Sequence, residues 1–114
     1  MEVSIKNTTR KRAPKIKFEK IKDYILGKSY ELSLVFCSDA LSRSLNHNYR
    51  NRDKATNVLS FPLSKNSGEI FINLNKIKEF GVLHLFIHGC LHLKGMYHGD
   101  TMDLEEAKLL RKFD

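Results

Sequence analysis

Val82-Leu83-His84-Leu85-Phe86-Ile87-His88-Gly89-Cys90-Leu91-His92-Leu93-Lys94-Gly95-Met96-Tyr97-His98 is the most informative stretch of this 114-residue chain. Residues 82–94 carry large apolar side chains on nearly every side of a 3.6-residue turn, which predicts a helix in the core of a small domain. The run is short of the ~18 apolar residues that a membrane span needs. Set into it are histidines at intervals of four, His84, His88 and His92. Residues four apart stack on one helix face, a turn (~5.4 Å) apart along the axis.

Two imidazoles at that spacing can converge on one ion at ~2.0–2.1 Å per Zn–N bond. Three cannot, because His84 and His92 lie about 12 Å apart along the helix axis. Gly95 selects the pair. Glycine takes the left-handed turn that lets a chain leave a helix and fold back. His98, three residues later, can then swing toward His92 and its partner one turn earlier. The expected metal triad is His88, His92 and His98, holding one Zn2+ per chain. Three neutral histidines leave a fourth position for water, the pattern of a catalytic zinc site. His84 is left as a core histidine or a support behind the ligands. The pair resembles the HExxH of zinc proteases, whose glutamate is the general base, but Gly89 stands where that glutamate would be. Glu105 and Glu106 are read as capping or solvating the last helix.

Elsewhere the pattern is mixed. Val3 and Ile5 alternate in a first strand, and a basic loop with Pro14 follows. Ile21, Tyr24 and Ile25 mark a helix over about 15–26 that stops at Gly27. Leu32, Leu34 and Phe36 alternate in a strand over about 30–37. Ser38 is the expected cap of a helix marked by Leu41, Leu45 and Tyr49 at i, i+4 and i+8. Residues 57–61 and 69–73 read as strands paired antiparallel across the turn chemistry of residues 64–68. A short helical turn is expected over 75–79. Thr101 is the expected cap of a last helix, with acids early and bases late. One domain over residues 1–114 is expected, an α+β fold with a small mixed β-sheet of about four strands packed by helices.

Charge narrows the partner. The chain has 20 basic and 13 acidic residues, a net charge of +7. The excess sits in residues 1–28, with nine basic and three acidic side chains, and in residues 40–65, with five and one. Such a balance favours a polyanion, above all nucleic acid. Two cysteines, Cys37 and Cys90, are too few for a disulfide framework and are read as buried thiols. With no apolar leader at the N-terminus, a cytoplasmic protein that does not engage membranes is expected. Tyr24, Tyr30 and Phe36 are read as core residues rather than base-stacking platforms.

Two motifs together resemble a known family. His88-Gly89-x-Leu91-His92-Leu93-x-Gly95-x-x-His98 resembles the YbeY signature HGxLHLxGxxH. Leu45-Asn46-x-x-Tyr49-Arg50, with Asp53 and Thr56-Asn57-Val58-Leu59-Ser60-Phe61-Pro62, is similar to its other signature. Gly68-Glu69-Ile70 and residues 102–106 resemble further blocks. The resemblance covers roughly residues 45–114, while residues 1–44 match in element order only. It implies a zincin-like metal helix and a metal-dependent, single-strand-specific endoribonuclease. It further implies a role in 16S rRNA 3′ end maturation and ribosome quality control, with the small ribosomal subunit and ribosome-associated proteins as partners. It assigns His88, His92 and His98 as metal ligands and Arg50 as the active-site arginine. This sequence departs at Met96-Tyr97, where Tyr-Asp is usual, at Ala55, where proline is usual, and in a shortened stretch between residue 73 and His84.

The expected chemistry is hydrolysis of an RNA phosphodiester. The ion lowers the pKa of water toward ~7 and polarises a phosphoryl oxygen. Arg50 offsets charge growing in the transition state. Two other readings stay open on the residues alone: a zinc metallopeptidase, and a non-catalytic zinc-binding ribosome assembly factor.

Overall fold

The computed structural model describes residues 3–52, 54–78 and 80–114. Asp53 of the second motif, and position 79 at the end of the expected helical turn, lie outside the described residues. The elements in chain order are β1 (Ser4–Asn7), α1 (Phe18–Leu26), β2 (Glu31–Cys37), α2 (Asp39–Arg50), β3 (Val58–Ser64), β4 (Ser67–Asn73), α3 (Gly81–Leu93) and α4 (Asp100–Phe113). A single 3-10 turn, Leu74–Lys76, follows β4. The four strands form one mixed sheet in the order β1-β2-β4-β3, with β3 antiparallel and the other neighbours parallel. This is the α+β architecture expected from the sequence.

Strand residues alternate faces. Ile70 of β4 abuts Gly89 of α3 on one face. The next residue, Phe71, meets Phe61, and Phe61 meets Tyr49 of α2. The sheet therefore lies between α3 and α2. On the α3 side, Leu34, Phe36, Ile70 and Ile72 join Leu85, Phe86, Ile87 and Leu91 in the core. Removing such a side chain from water contributes roughly 1.5–3 kcal/mol. α1 and α4 flank α3 and complete its burial through Phe18, Ile21, Ile25, Met102 and Leu109.

The hairpin differs from expectation in length. β3 and β4 run to a two-residue turn at Lys65 and Asn66, and the register shifts between Pro62 and Ser64. The Ser64 and Ser67 hydroxyls meet at 2.7 Å and close the hairpin end. Pro62 is tolerated because β3 is an edge strand, where its missing N–H costs no ladder bond. α1 starts at Phe18 rather than near residue 15. Its Lys22 is fully buried and donates to the carbonyls of Gly27 and Lys28, both at 3.3 Å. The ammonium thus serves the carbonyl end of the helix, where positive charge is favoured. Tyr24 is not a core residue: it is 60% exposed and packs edge-on against Phe113. Tyr30 and Phe36 are buried as expected.

α2 buries a different stripe from the one its apolar spacing suggests. Tyr49 is 69% exposed, and the buried residues are Ser42 and Asn46. The hydrogen bonds explain the choice. Ser42 Oγ donates to the Thr56 carbonyl at 2.7 Å and accepts from the Thr56 N–H at 2.9 Å. Asn46 Nδ2 donates to the Lys54 carbonyl at 3.0 Å. Asn73 Nδ2 donates to Asp39 Oδ1 and to the Thr56 carbonyl. These polar groups fasten the connection between α2 and β3, and so fix where the end of α2 sits. Both cysteines are buried. Burial pushes the Cys37 thiol up to about 11 and raises that of Cys90 further.

Candidate metal centre

α3 is covered by the sheet, α1 and α4, and its remaining stripe carries His84, His88 and His92, all half-buried. The turn after it is a Schellman motif. Gly95 N–H donates to the His92 carbonyl and Met96 N–H to the Leu91 carbonyl, each at 3.0 Å. Gly95 has φ +105°, a conformation that an L side chain rarely adopts. The turn reverses the chain and delivers His98 to the other two rings. The imidazole centroids lie 4.6 Å (His88–His92), 5.0 Å (His88–His98) and 4.7 Å (His92–His98) apart.

One nitrogen from each of the three histidines falls within 4.8 Å of the others. His88 Nε2 and His92 Nε2 are 3.0 Å apart. Two tetrahedral ligands of one zinc ion would be spaced about 3.3 Å apart. The donor set and its spacing therefore fit a divalent ion that accepts imidazole. Each helix-borne ring is held from behind. His92 Nδ1 donates to the Met96 carbonyl at 3.1 Å, and His88 Nδ1 donates to Glu106 Oε2 at 2.9 Å. A neutral imidazole that donates through Nδ1 keeps the Nε2 lone pair free for a metal.

Burial lowers the pKa of His92 from its ordinary value, and the charges of His88, His98 and Arg50 add to the effect. Arg50, the last residue of α2, is exposed and within electrostatic reach of this ring. Asn51, with φ 55°, turns the chain away after it. The three histidines picked out in the sequence converge in the structure, and the charge of Arg50 is felt at the ring of His92. The structure corrects the reading of Glu106. That side chain is neither a cap nor a solvated charge: it is 12% exposed and hydrogen-bonds to both His84 and His88. The helix containing it begins after Gly99, so Thr101 lies in the first turn and is not the cap.

Gly89 shows why no glutamate follows His88. A Cβ built at this position would lie 3.0 Å from both Ser60 Oγ and Ile70 Cδ1. Ser60 Oγ donates to the Gly89 carbonyl at 3.2 Å. The position belongs to the contact between α3 and the sheet, where any side chain would have to push Ser60 and Ile70 aside.

A groove of about 850 Å³ lies at the other end of α3, with Lys11, Arg12, Lys15, Leu74, Val82 and Leu110 among its lining. The basic loop along it is ordered by its own bonds. Asn7 Nδ2 donates to the Lys11 carbonyl at 2.8 Å, and Asn7 Oδ1 accepts from Thr9. No helix among the described residues is long and apolar enough to cross a membrane.

The family model described as Endoribonuclease YbeY matches residues 2–113. An Endoribonuclease YbeY of Neorickettsia sennetsu is 36% identical, over 75% of this chain and 75% of that protein. One of Ehrlichia ruminantium is 37% identical over 71% of this chain and 64% of that protein. One of Anaplasma phagocytophilum is 42% identical over 69% and 61%. The chain thus matches under two thirds of the length of the latter two. A Thermotoga maritima protein solved in solution superposes with a TM-score of 0.62 at 22% identity, covering 98% of this chain and 89% of that one, which supports the fold. With its three imidazoles convergent and its family signature matched almost end to end, the chain belongs to the YbeY endoribonuclease family.

Proposed function

We propose that this chain is a metal-dependent, single-strand-specific endoribonuclease that hydrolyses RNA phosphodiester bonds. The observation that carries the reading is the convergence of His88, His92 and His98 on one point within electrostatic reach of Arg50. His88, His92 and His98 hold the metal, one Zn2+ per chain. When bound, the ion supplies Lewis acidity toward a phosphoryl oxygen and a lowered pKa for water. Arg50 presents a planar fork that pairs with a phosphate bidentately and offsets the charge that grows in the transition state. The Asn46, Ser42 and Asn73 bonds keep the end of α2 in place, so Arg50 reaches the scissile phosphate from a fixed element. Lys11, Arg12 and Lys15 attract the backbone of the strand without reading its sequence.

Residues 1–114 act as one domain, a reading supported by the radius of gyration of 13.3 Å against about 13 Å for compact domains of this size. The substrate in the cell is rRNA, at the 3′ end of the small-subunit molecule, met in the cytoplasm with ribosome-associated proteins. The metallopeptidase reading loses its base at Gly89, and the family match favours a nuclease over a passive assembly factor.

Elemental analysis of purified protein, paired with cleavage of a single-stranded rRNA fragment with and without chelator, tests the proposal. One equivalent of zinc and cleavage that stops on chelation and returns on adding zinc are expected. Undiminished cleavage by metal-free protein overturns the metal-dependent mechanism. Hydrolysis of a peptide library with no RNA cleavage overturns the substrate class.

A further inference from the structure

Glu106 sits between two imidazoles of α3. Its Oε2 accepts from His88 Nδ1 at 2.9 Å, and its Oε1 bonds His84 Nε2. The three side chains are 12% (Glu106), 25% (His84) and 21% (His88) exposed, so water competes weakly for the bonds. Phe80 meets the His84 ring edge-on with centroids 5.0 Å apart, which keeps that ring from swinging away.

Both carboxylate oxygens are therefore engaged, and they face His88 on the side opposite its Nε2. Nε2 is the atom that points at His92. Glu106 is thus placed behind the ligand and does not enter the three-histidine group. We propose that Glu106, clamped by His84, is a positioning residue for the metal site. A carboxylate facing Nδ1 holds the proton there, leaves Nε2 bare, and makes the ring a stronger donor. His84 fixes the second oxygen, so the carboxylate keeps one rotamer and the His88 plane keeps one orientation. His92 obtains the same service from the Met96 carbonyl, which a side-chain substitution cannot remove. The asymmetry makes Glu106 the side chain through which the site's affinity is tuned. This inference rests on the reading of the triad as a metal site.

The test is zinc affinity, measured on the full chain by competition with a chromophoric chelator and alongside circular dichroism and urea unfolding of the zinc-free proteins. Glu106→Ala should weaken zinc about 10–100-fold. Glu106→Gln, nearly isosteric and still able to accept from Nδ1–H, should lose less. His84→Ala should weaken zinc by a smaller factor than Glu106→Ala. On zinc-loaded wild type, long-range proton–nitrogen NMR should show the proton of His88 on Nδ1. Wild-type affinity in folded Glu106→Ala and Glu106→Gln overturns the proposal, because a purely structural glutamate would alter unfolding and leave affinity unchanged. Should Glu106→Ala not fold, the Glu106→Gln affinity decides it. If the wild type itself takes up no zinc, the triad reading fails first and this one with it. Those two failures are told apart by the wild-type titration.

Discussion

The ring of His92 is tied to the carbonyl of Met96 by a 3.1 Å hydrogen bond that spans the Gly95 turn. One backbone reversal thus orients the second ring of the cluster and delivers the third. Replacing Gly95 by alanine strains a φ of +105° and should cost roughly 1–2 kcal/mol of stability. It should also weaken zinc binding, since His98 depends on the same turn. Urea unfolding and zinc titration of Gly95→Ala check both effects, and a variant as stable and as tight-binding as wild type refutes the turn's role.

In the proposed mechanism Arg50 contributes charge and no ligand atom. Arg50→Ala should retain one zinc per chain and lose roughly 10²–10³-fold in RNA cleavage. Arg50→Lys should recover only part, because an ammonium cannot pair bidentately with a phosphate. Unchanged turnover in Arg50→Ala would move the charge-stabilising role to another residue.

Burial depresses the His92 pKa below the ordinary value of 6.5. In the metal-free protein the unfolded chain then takes up a proton at this ring before the folded chain does. Stability therefore rises with pH across the window just below 6.5 and is flat with respect to this group above it. Urea midpoints of metal-free protein should fall as pH drops from 7 toward 5, and His92→Ala should remove part of that slope. Zinc affinity should fall over the same acidic range, since only neutral imidazole binds the ion. A titration of midpoints with equal slopes in the two proteins would show that His92 is not the group responsible.

Position 89 is a packing position one residue from His88. Gly89→Ala should destabilise by about 1–3 kcal/mol, as overfilled contacts do. Gly89→Glu should be worse and should gain no peptidase activity, because its side chain meets Ser60 and Ile70 instead of the metal. Thermal unfolding and a peptide-hydrolysis assay read the two outcomes. Peptide cleavage by Gly89→Glu would show that the α3–sheet contact opens.

RNA affinity should drop steeply with added salt. Each phosphate contact to a single strand contributes ~0.7 to the log–log slope, so alanine at Lys11, Arg12 and Lys15 together should lower the slope by about 2. Binding isotherms at several salt concentrations measure it, and an unaltered slope would exclude the groove from the RNA path.

The three-histidine cluster was legible because its determinants are local. A four-residue interval, a glycine and a three-residue return need only helix geometry and a left-handed turn. The alternating strands and the buried α3 were legible for the same reason. Glu106 was not, because its contact with His84 and His88 depends on how α4 docks on α3, and its early-helix position fits capping equally well. The helix of α2 and its Ser38 cap were legible, but not the face it buries. The spacing of Leu41, Leu45 and Tyr49 suggests an apolar stripe, yet Ser42 and Asn46 are inward because the following connection offers them backbone partners. Tyr24 escaped burial because its neighbours are Phe113 and Lys112 of α4, at the surface.

The buried sulfurs bear on which ion the site admits. Cys90 stands between His88 and His92 in sequence but on the opposite side of the helix, inside the core, and Cys37 lies at the end of β2. Burial raises both thiols, Cys37 to about 11, so both stay protonated at neutral pH. Both thiols are buried in the core and neither belongs to the three-histidine group, so neither is placed to ligate an ion held there. Discrimination among borderline metals is thereby left to nitrogen donors alone, and oxidants reaching the surface find no sulfhydryl among the three rings to poison.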